Sequence, residues 1–307
     1  MKNLLSRMVR GLGGILGGSS AQDSADHPVA SEQKRMLGNY ELGRKLGDGA
    51  MGAVYLARDV TSGREVAVKT MVLSGTFRAE QLADIKSRFF REVEIIERLD
   101  HPNIVTVYGR GEEDGLAYIS MELLKGSDLE CHTKPDNLLP YPIVLSIVAC
   151  VADALGYAHE HDVVHRDVKP GNIMYDPDSD TVKVLDFGIS RITTESKTKL
   201  GVVLGTPYYM SPEQLRGLKI GGSSDIFSLG ISLYQLLAGK LPFEGKSAME
   251  VMSRIAKEPH VDILTLRPDL PPCVGKIVDR ALTKEIEQRF QSGREMAEAI
   301  RLCMAAL

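Results

Sequence analysis

An α+β fold is predicted by three features of this 307-residue sequence. Between Tyr40 and Leu124, short runs rich in Val, Ile, Tyr and Ala alternate in hydropathy and are broken by turn signals such as Thr61-Ser62-Gly63, as strands are. One helical stretch interrupts them, from about Glu80 to Leu99, where Leu82, Ile85, Phe89, Val93, Ile96 and Leu99 fall at three- and four-residue spacing. After Gly126 the pattern turns helical, with Ile143, Val144, Ile147, Val148, Val151, Leu155 and Ala158 forming an apolar stripe.

Composition narrows the functional classes. Apolar residues make up 43% and charged residues 25%, ordinary for a globular protein with a sizeable core. A net charge of −4 gives no electrostatic case for nucleic acid as a partner. No run of eighteen apolar residues exists, so no transmembrane span is expected. Cys131, Cys150, Cys273 and Cys303 stand far apart, without C-x-x-C or a histidine at ligand spacing; this argues against a metal site or disulfide framework and suits a reducing, cytoplasmic setting.

Residues 1–39 differ from the rest. Leu4, Leu5, Met8, Val9, Leu12, Ile15 and Leu16 repeat at helical spacing beside Lys2, Arg7 and Arg10, a pattern that suits a helix lying on a membrane surface. Gly11, Gly13, Gly14, Gly17 and Gly18 oppose it, each costing about 1 kcal/mol in a helix. The stretch therefore reads as a flexible leader and linker, with weak membrane or partner contact through residues 1–18 as the alternative.

The chemistry is carried by motifs in a fixed order. Leu46-Gly47-Asp48-Gly49-Ala50-Met51-Gly52-Ala53-Val54 reads G-x-G-x-x-G-x-V. A dinucleotide-binding turn would lead into a helix, but Ala53–Ala57 is strand-like, so a hairpin fits better. Glu65-Val66-Ala67-Val68-Lys69 follows as the returning strand, with Ala67 and Lys69 on one face. Glu92 lies among the apolar positions of the helix, and an inward carboxylate needs a partner, for which Lys69 is the candidate. His165-Arg166-Asp167-Val168-Lys169-Pro170-Gly171-Asn172 and Asp186-Phe187-Gly188 complete the series. Together these resemble a protein kinase of the serine/threonine type found in bacteria, over about residues 40–303.

The resemblance implies a bilobal protein-kinase-like fold: a small β-rich lobe (about 40–124) with one regulatory helix, and a larger, mostly helical lobe (about 125–303). It implies ATP as the nucleotide, cradled by Gly47, Asp48, Gly49, Ala50 and Gly52, with Val54 and Ala67 above adenine and Met174 below. Ile119–Leu124 resembles the hinge, with Met121 at the back of the pocket and backbone groups of Glu122 and Leu124 facing adenine. Lys69, paired with Glu92, would meet the α- and β-phosphates. Asp167 would take the hydroxyl proton and Lys169 would neutralise the γ-phosphate. Asn172 and Asp186 would hold Mg²⁺, for which Mn²⁺ can substitute. His165 and Phe187 read as packing residues.

Lys169 together with Gly205-Thr206-Pro207 resembles serine/threonine rather than tyrosine kinases. The segment ending at Ser211-Pro212-Glu213 holds Thr193, Thr194, Ser196 and Thr198, candidate phosphorylation sites that Arg166 would pair with; Thr198 is the first choice. Asp225 would cap the backbone of the catalytic stretch, Glu213 and Arg289 would form a buried ion pair, Leu241-Pro242-Phe243 would stop a helix, and a last helix would run from about Ser292 to Met304. The expected function is transfer of the γ-phosphate of ATP to serine or threonine hydroxyls of protein substrates, with self-phosphorylation of that segment. The alternatives are a nucleotide-binding pseudokinase scaffold, against which Lys69, Asp167 and Asp186 all stand, and a small-molecule kinase. A homodimer through the small lobe is an arrangement the resemblance suggests.

Overall fold

A computed structural model of the chain describes residues 35–49, 52–72, 79–187 and 207–306. Strands β1 (Arg35–Leu37), β2 (Tyr40–Gly49), β3 (Gly52–Asp59), β4 (Glu65–Val72), β5 (Val107–Glu113) and β6 (Leu116–Glu122) form an antiparallel sheet in the order β1-β2-β3-β4-β6-β5. The period of two sorts its side chains. Ala67 and Met71 face α1 (Ala79–Ile96), whose Ile85, Phe89 and Val93 complete that cluster. Val66 and Val68 face the other way, against Leu37, Ala57 and Tyr118.

β1 falls in the stretch that the sequence assigns to the linker. Leu37, only 5% exposed, makes it part of the sheet, and the chain then reverses at Gly38 with φ +56°. A Cβ on Gly38 would come within 2.2 Å of the Tyr118 hydroxyl, so no other residue fits this turn without displacing that ring.

The helical lobe is built on α2 (Tyr141–Glu160). This helix is long and apolar enough to cross a membrane, but 61% of that stretch is buried in the domain, as in a core helix. α2 packs on α4 (Gly222–Ala238), whose residues from Ser224 to Tyr234 are all buried, and on α8 (Gly293–Ala305). The α2–α8 crossing is close enough that a Cβ on Gly293 would lie 2.1 Å from the Ala152 carbonyl. α4 ends earlier than Leu241-Pro242-Phe243 suggests: Gly239 adopts φ +68° and its N–H donates to Gln235 O (2.7 Å), a left-handed helix cap.

Short capped helices fill the rest. Ser211 and Gln214 form a capping box on α3 (Pro212–Leu215), Ser247 caps α5 (Ala248–Lys257) and Asp262 caps α6 (Ile263–Leu266). α7 (Pro272–Ala281) then leads to α8, capped by Ser292. Here one expectation is overturned. Cys273 and Cys303 form a disulfide, their Cα atoms 5.7 Å apart. Chain separation misled: the first turn of α7 lies against the last turn of α8, so residues 30 apart in sequence meet.

Glu213 and Arg289 do pair. Arg289 is fully buried and bidentate, Nη1 to Oε1 at 2.7 Å and Nη2 to Oε2 at 3.0 Å. Its remaining N–H groups donate to the carbonyls of Thr283, Ser223 and Lys284, so every donor of the guanidinium is used. Ser224 Oγ donates to Glu213 Oε1 (2.6 Å). Burial alone would raise the Glu213 carboxyl, but the Arg289 fork and the Ser224 hydroxyl outweigh it and hold it below its ordinary 4.5. The pair's contribution is therefore present above pH 4.5 and is lost as pH falls through the lower folded value. Replacing Arg289 by Ala strands the Glu213 charge and should cost about 3–5 kcal/mol in urea unfolding. A midpoint unchanged at pH 7 would refute this account.

Candidate active site

The site lies where the strand-rich lobe joins the helical one. The loop after α1 docks on a second sheet, ordered β7 (Ser127–Asp128), β8 (Ile173–Asp176), β9 (Thr181–Val184). Val105 N–H donates to Val184 O (3.0 Å), Val184 N–H to Asn103 O (2.8 Å), and Asn103 Nδ2 to Val182 O (2.9 Å). β9 thus carries Leu185 and Asp186 straight out of the junction.

The loop between α2 and β8 is held from beneath by Asp225 on α4. Its carboxylate is fully buried: Oδ1 accepts Arg166 N–H (2.7 Å), Oδ2 accepts His165 N–H (2.8 Å), and His159 Nε2 lies 2.8 Å from Oδ2. Arg166 needs this restraint because its φ is +70°, a region that side chains disfavour. His165 is also buried, its ring 4.6 Å from that of Phe187. Its Nδ1 accepts Asp167 N–H (3.2 Å), so Nε2 carries the proton and donates to Leu185 O (2.6 Å). Both ring nitrogens are engaged with backbone.

Above that frame Asp167 points into the cleft, about one third exposed. Lys169 Nζ donates to its Oδ2 (2.8 Å). Asn172 Nδ2 donates to Asp167 O (2.7 Å) and Oδ2 (3.1 Å), which leaves the amide oxygen of Asn172 as an acceptor. Leu185 N–H donates to Asn172 O (2.9 Å), so the β8–β9 pairing sets Asn172 beside Asp186, itself at φ +61°. A carboxylate and an amide oxygen are hard donors of the kind Mg²⁺ takes, and they fit such an ion.

Lys69 reaches this group from β4, in register with Val54 on β3 and Ile119 on β6. Its Nζ donates to Asp186 Oδ2 at 2.5 Å. The expected partner was Glu92; among the described residues no ion pair joins Glu92 to Lys69. The Asp186 carboxylate holds the ammonium instead. Glu92 is half-buried on α1, between Phe89 and Val93.

Val54, Ala67, Met121, Leu124 and Leu185 belong to one apolar cluster, and Met174 is half-buried on β8. Glu122 turns its carboxylate to Thr106 N–H (2.7 Å) and Lys183 Nζ (2.6 Å), an anchor that the sequence analysis missed because Lys183 is 61 residues away. Its own N–H donates to Thr106 O (2.9 Å), so that group is not the one left for a ligand. The glycines differ in role. A Cβ on Gly47 would meet nothing within 4 Å, whereas one on Gly52 would lie 1.9 Å from the Thr70 carbonyl. Asp48 pairs with Lys45 at the rim and Gly49 faces Gly52 across the hairpin. Ala50, Thr206 and the candidate phosphorylation sites Thr193, Thr194, Ser196 and Thr198 lie outside the described residues.

The protein kinase domain profile matches residues 40–300. The chain belongs to the protein kinase family. This kinase chain is 36% identical over 274 residues to the serine/threonine-protein kinase PrkC of Bacillus subtilis, covering 89% of this chain and 42% of that protein. With the serine/threonine-protein kinase PknB of Mycolicibacterium smegmatis it is 39% identical over 273 residues, covering 86% and 43%. The chain therefore spans about two fifths of the length of these curated relatives. The crystal structure of the Mycobacterium tuberculosis PknI kinase domain superposes with a TM-score of 0.70 at 31% identity, covering 88% of this chain and 98% of that one. Its lobes, the β-rich small one and the helical large one, are those of the kinase fold. The family in general uses ATP with a divalent metal and acts on protein substrates.

The two glycines give a direct test of this hairpin. Gly52→Ala should lower stability by about 1–3 kcal/mol, because its Cβ meets backbone that cannot swing away. Gly47→Ala should change stability by less than about 1 kcal/mol. Equal thermal midpoints for the two variants would contradict the packing described.

Proposed function

We propose that this chain transfers the γ-phosphate of ATP to serine or threonine hydroxyls of proteins. The observation that supports it best is the arrangement around Asp167: a carboxylate about one third exposed, with Lys169 at 2.8 Å and Asn172 at 3.1 Å, beside Asp186 held by Lys69 at 2.5 Å. In this reading the acceptor oxygen bonds to the γ-phosphorus as the bond to the β,γ-bridging oxygen breaks and ADP leaves. The hydroxyl proton goes to Asp167. Lys169 neutralises charge on the transferred group, and Lys69 meets the α- and β-phosphates. Val54, Ala67, Met121, Leu124 and Met174 enclose adenine. Asn172 and Asp186 would hold Mg²⁺, or Mn²⁺ in its place, and the bound ion would neutralise phosphate charge.

Regulation is proposed through self-phosphorylation at Thr198, with Thr193, Thr194 and Ser196 as further sites. The need for ATP places the domain in the cytoplasm, and its partners are protein substrates rather than nucleic acid. Residues 1–39 serve in this reading as a flexible leader and linker, with weak membrane or partner contact of residues 1–18 as the alternative, and a homodimer through the small lobe is an arrangement compatible with it. No observation favours a pseudokinase scaffold, because Lys69, Asp167 and Asp186 are all in place.

Incubation with Mg-ATP, followed by intact mass and phosphosite mapping, tests the assignment. The wild-type chain should gain phosphates on serine or threonine, while Asp167→Asn and Asp186→Asn should lose transfer by at least about a hundredfold and stay folded. Near-normal turnover in either variant would remove that residue from the mechanism. Thr198→Ala should slow the onset of activity; an unchanged time course and site map would discard Thr198.

A further inference from the structure

We propose that the Cys273–Cys303 bond is a thiol-exchange switch: a dithiol opens it, a disulfide closes it, and its state sets how firmly α8 is tied to the helical lobe. The proposal is independent of the phosphoryl-transfer reading. It starts from the two sulfur atoms, which differ in access and in the helix end that each occupies.

Cys303 is 5% exposed and belongs to the main apolar core, whereas Cys273 is half-buried and packs against that core from its edge. A thiolate arriving from solvent therefore meets Cys273 Sγ. Cys273 is the second residue of α7, a helix of ten residues whose N-cap, Pro271, makes no side-chain bond to the first-turn N–H groups. Those groups are the positive end of the helix dipole and favour a thiolate placed there. Cys303 lies in the last turn of α8, where carbonyls form the negative end and no basic residue stands. The bond thus joins a sulfur that carries charge readily to one that does not. Stabilising the Cys273 thiolate stabilises the reduced pair, which marks this as an exchangeable bond rather than an inert staple.

α8 shows what the bond holds. The helix is fixed at its start by the close approach of Gly293 to the Ala152 carbonyl on α2. Near its end, Arg301 pairs with Asp153 of α2, an exposed contact of small worth, and Cys303 is tied to α7. Closing the bond links residues 30 apart and removes freedom from the unfolded chain. Opening it leaves the apolar face of α8 in place, with Met296, Ala297 and Ile300 buried, so the domain stays folded but less stable.

The exchange balances. One thiolate of a dithiol attacks Cys273 Sγ, the bond to Cys303 Sγ breaks, and its electron pair leaves on Cys303, which takes a proton from solvent. The second thiol of the reagent, deprotonated, attacks the mixed disulfide. Cys273 leaves as the thiolate and the reagent becomes a cyclic disulfide. Closure runs the same steps backwards, with a disulfide as the oxidant.

The full chain, equilibrated in reduced or oxidised dithiothreitol and alkylated with iodoacetamide without denaturant, tests this by peptide mapping beside thermal melts. Oxidised protein should leave Cys273 and Cys303 unlabelled. Reduced protein should label at Cys273 at least about tenfold faster than at Cys303 and melt about 5–10 °C lower. Cys303→Ala should melt like the reduced wild type and ignore dithiothreitol, which separates this bond from Cys131 and Cys150. A bond that never forms in oxidised reagent, or that yields only in denaturant, would overturn the switch. So would equal labelling of the two cysteines, equal melting of the two states, or a dithiothreitol response that survives in Cys303→Ala.

Discussion

The buried carboxylate of Asp225 is the constraint on which the catalytic loop depends. It accepts two consecutive backbone N–H groups, those of His165 and Arg166, and so fixes a turn that Arg166 would leave if free, since its φ of +70° is unfavourable. Three of the candidate residues follow from that turn: Asp167 is the next residue, and Lys169 and Asn172 both donate to Asp167. A carboxylate without exposure is tolerable only because its acceptor positions are filled by these donors and His159. α4 supplies the anchor because it is buried nearly all round.

A second set of contacts joins the lobes through charge. Lys69 crosses from the sheet to Asp186, and Lys183 crosses to Glu122 behind the hinge. Both acids sit at ends of β-structure in the junction, so each ion pair ties one lobe to the other beside the apolar cluster that holds Met121 and Leu185. The Lys69–Asp186 pair is partly solvated, 22% and 27% exposed, and water or a polyanion can compete for it. The Glu213–Arg289 pair is dry and saturated with hydrogen bonds, which suits a fixture of the helical lobe.

Several parts of this arrangement were legible in the chain because they are local. The alternation in β4 places Ala67 and Met71 on one face and Val66 and Val68 on the other, as the pleat requires. The spacing of Asp167, Lys169 and Asn172 is short enough that one loop brings them together. Glu213 with Arg289, and Asp225 with the catalytic loop, were readable only through family resemblance, since nothing local links residues 76 or 59 positions apart.

Sequence by itself determined which candidate reactive groups the chain carries and which faces are apolar, because residue type, spacing and period are properties of the chain. Tertiary structure alone decided which of them meet. The acid that Lys69 meets is Asp186, 117 residues further along the chain. Cys273 and Cys303 meet because two helices run side by side, and Leu37 joins the sheet because Val66, Val68 and Tyr118 leave an apolar surface to cover. The energies that settle such meetings are Coulombic and steric. They depend on distances in space, and chain separation does not encode those distances.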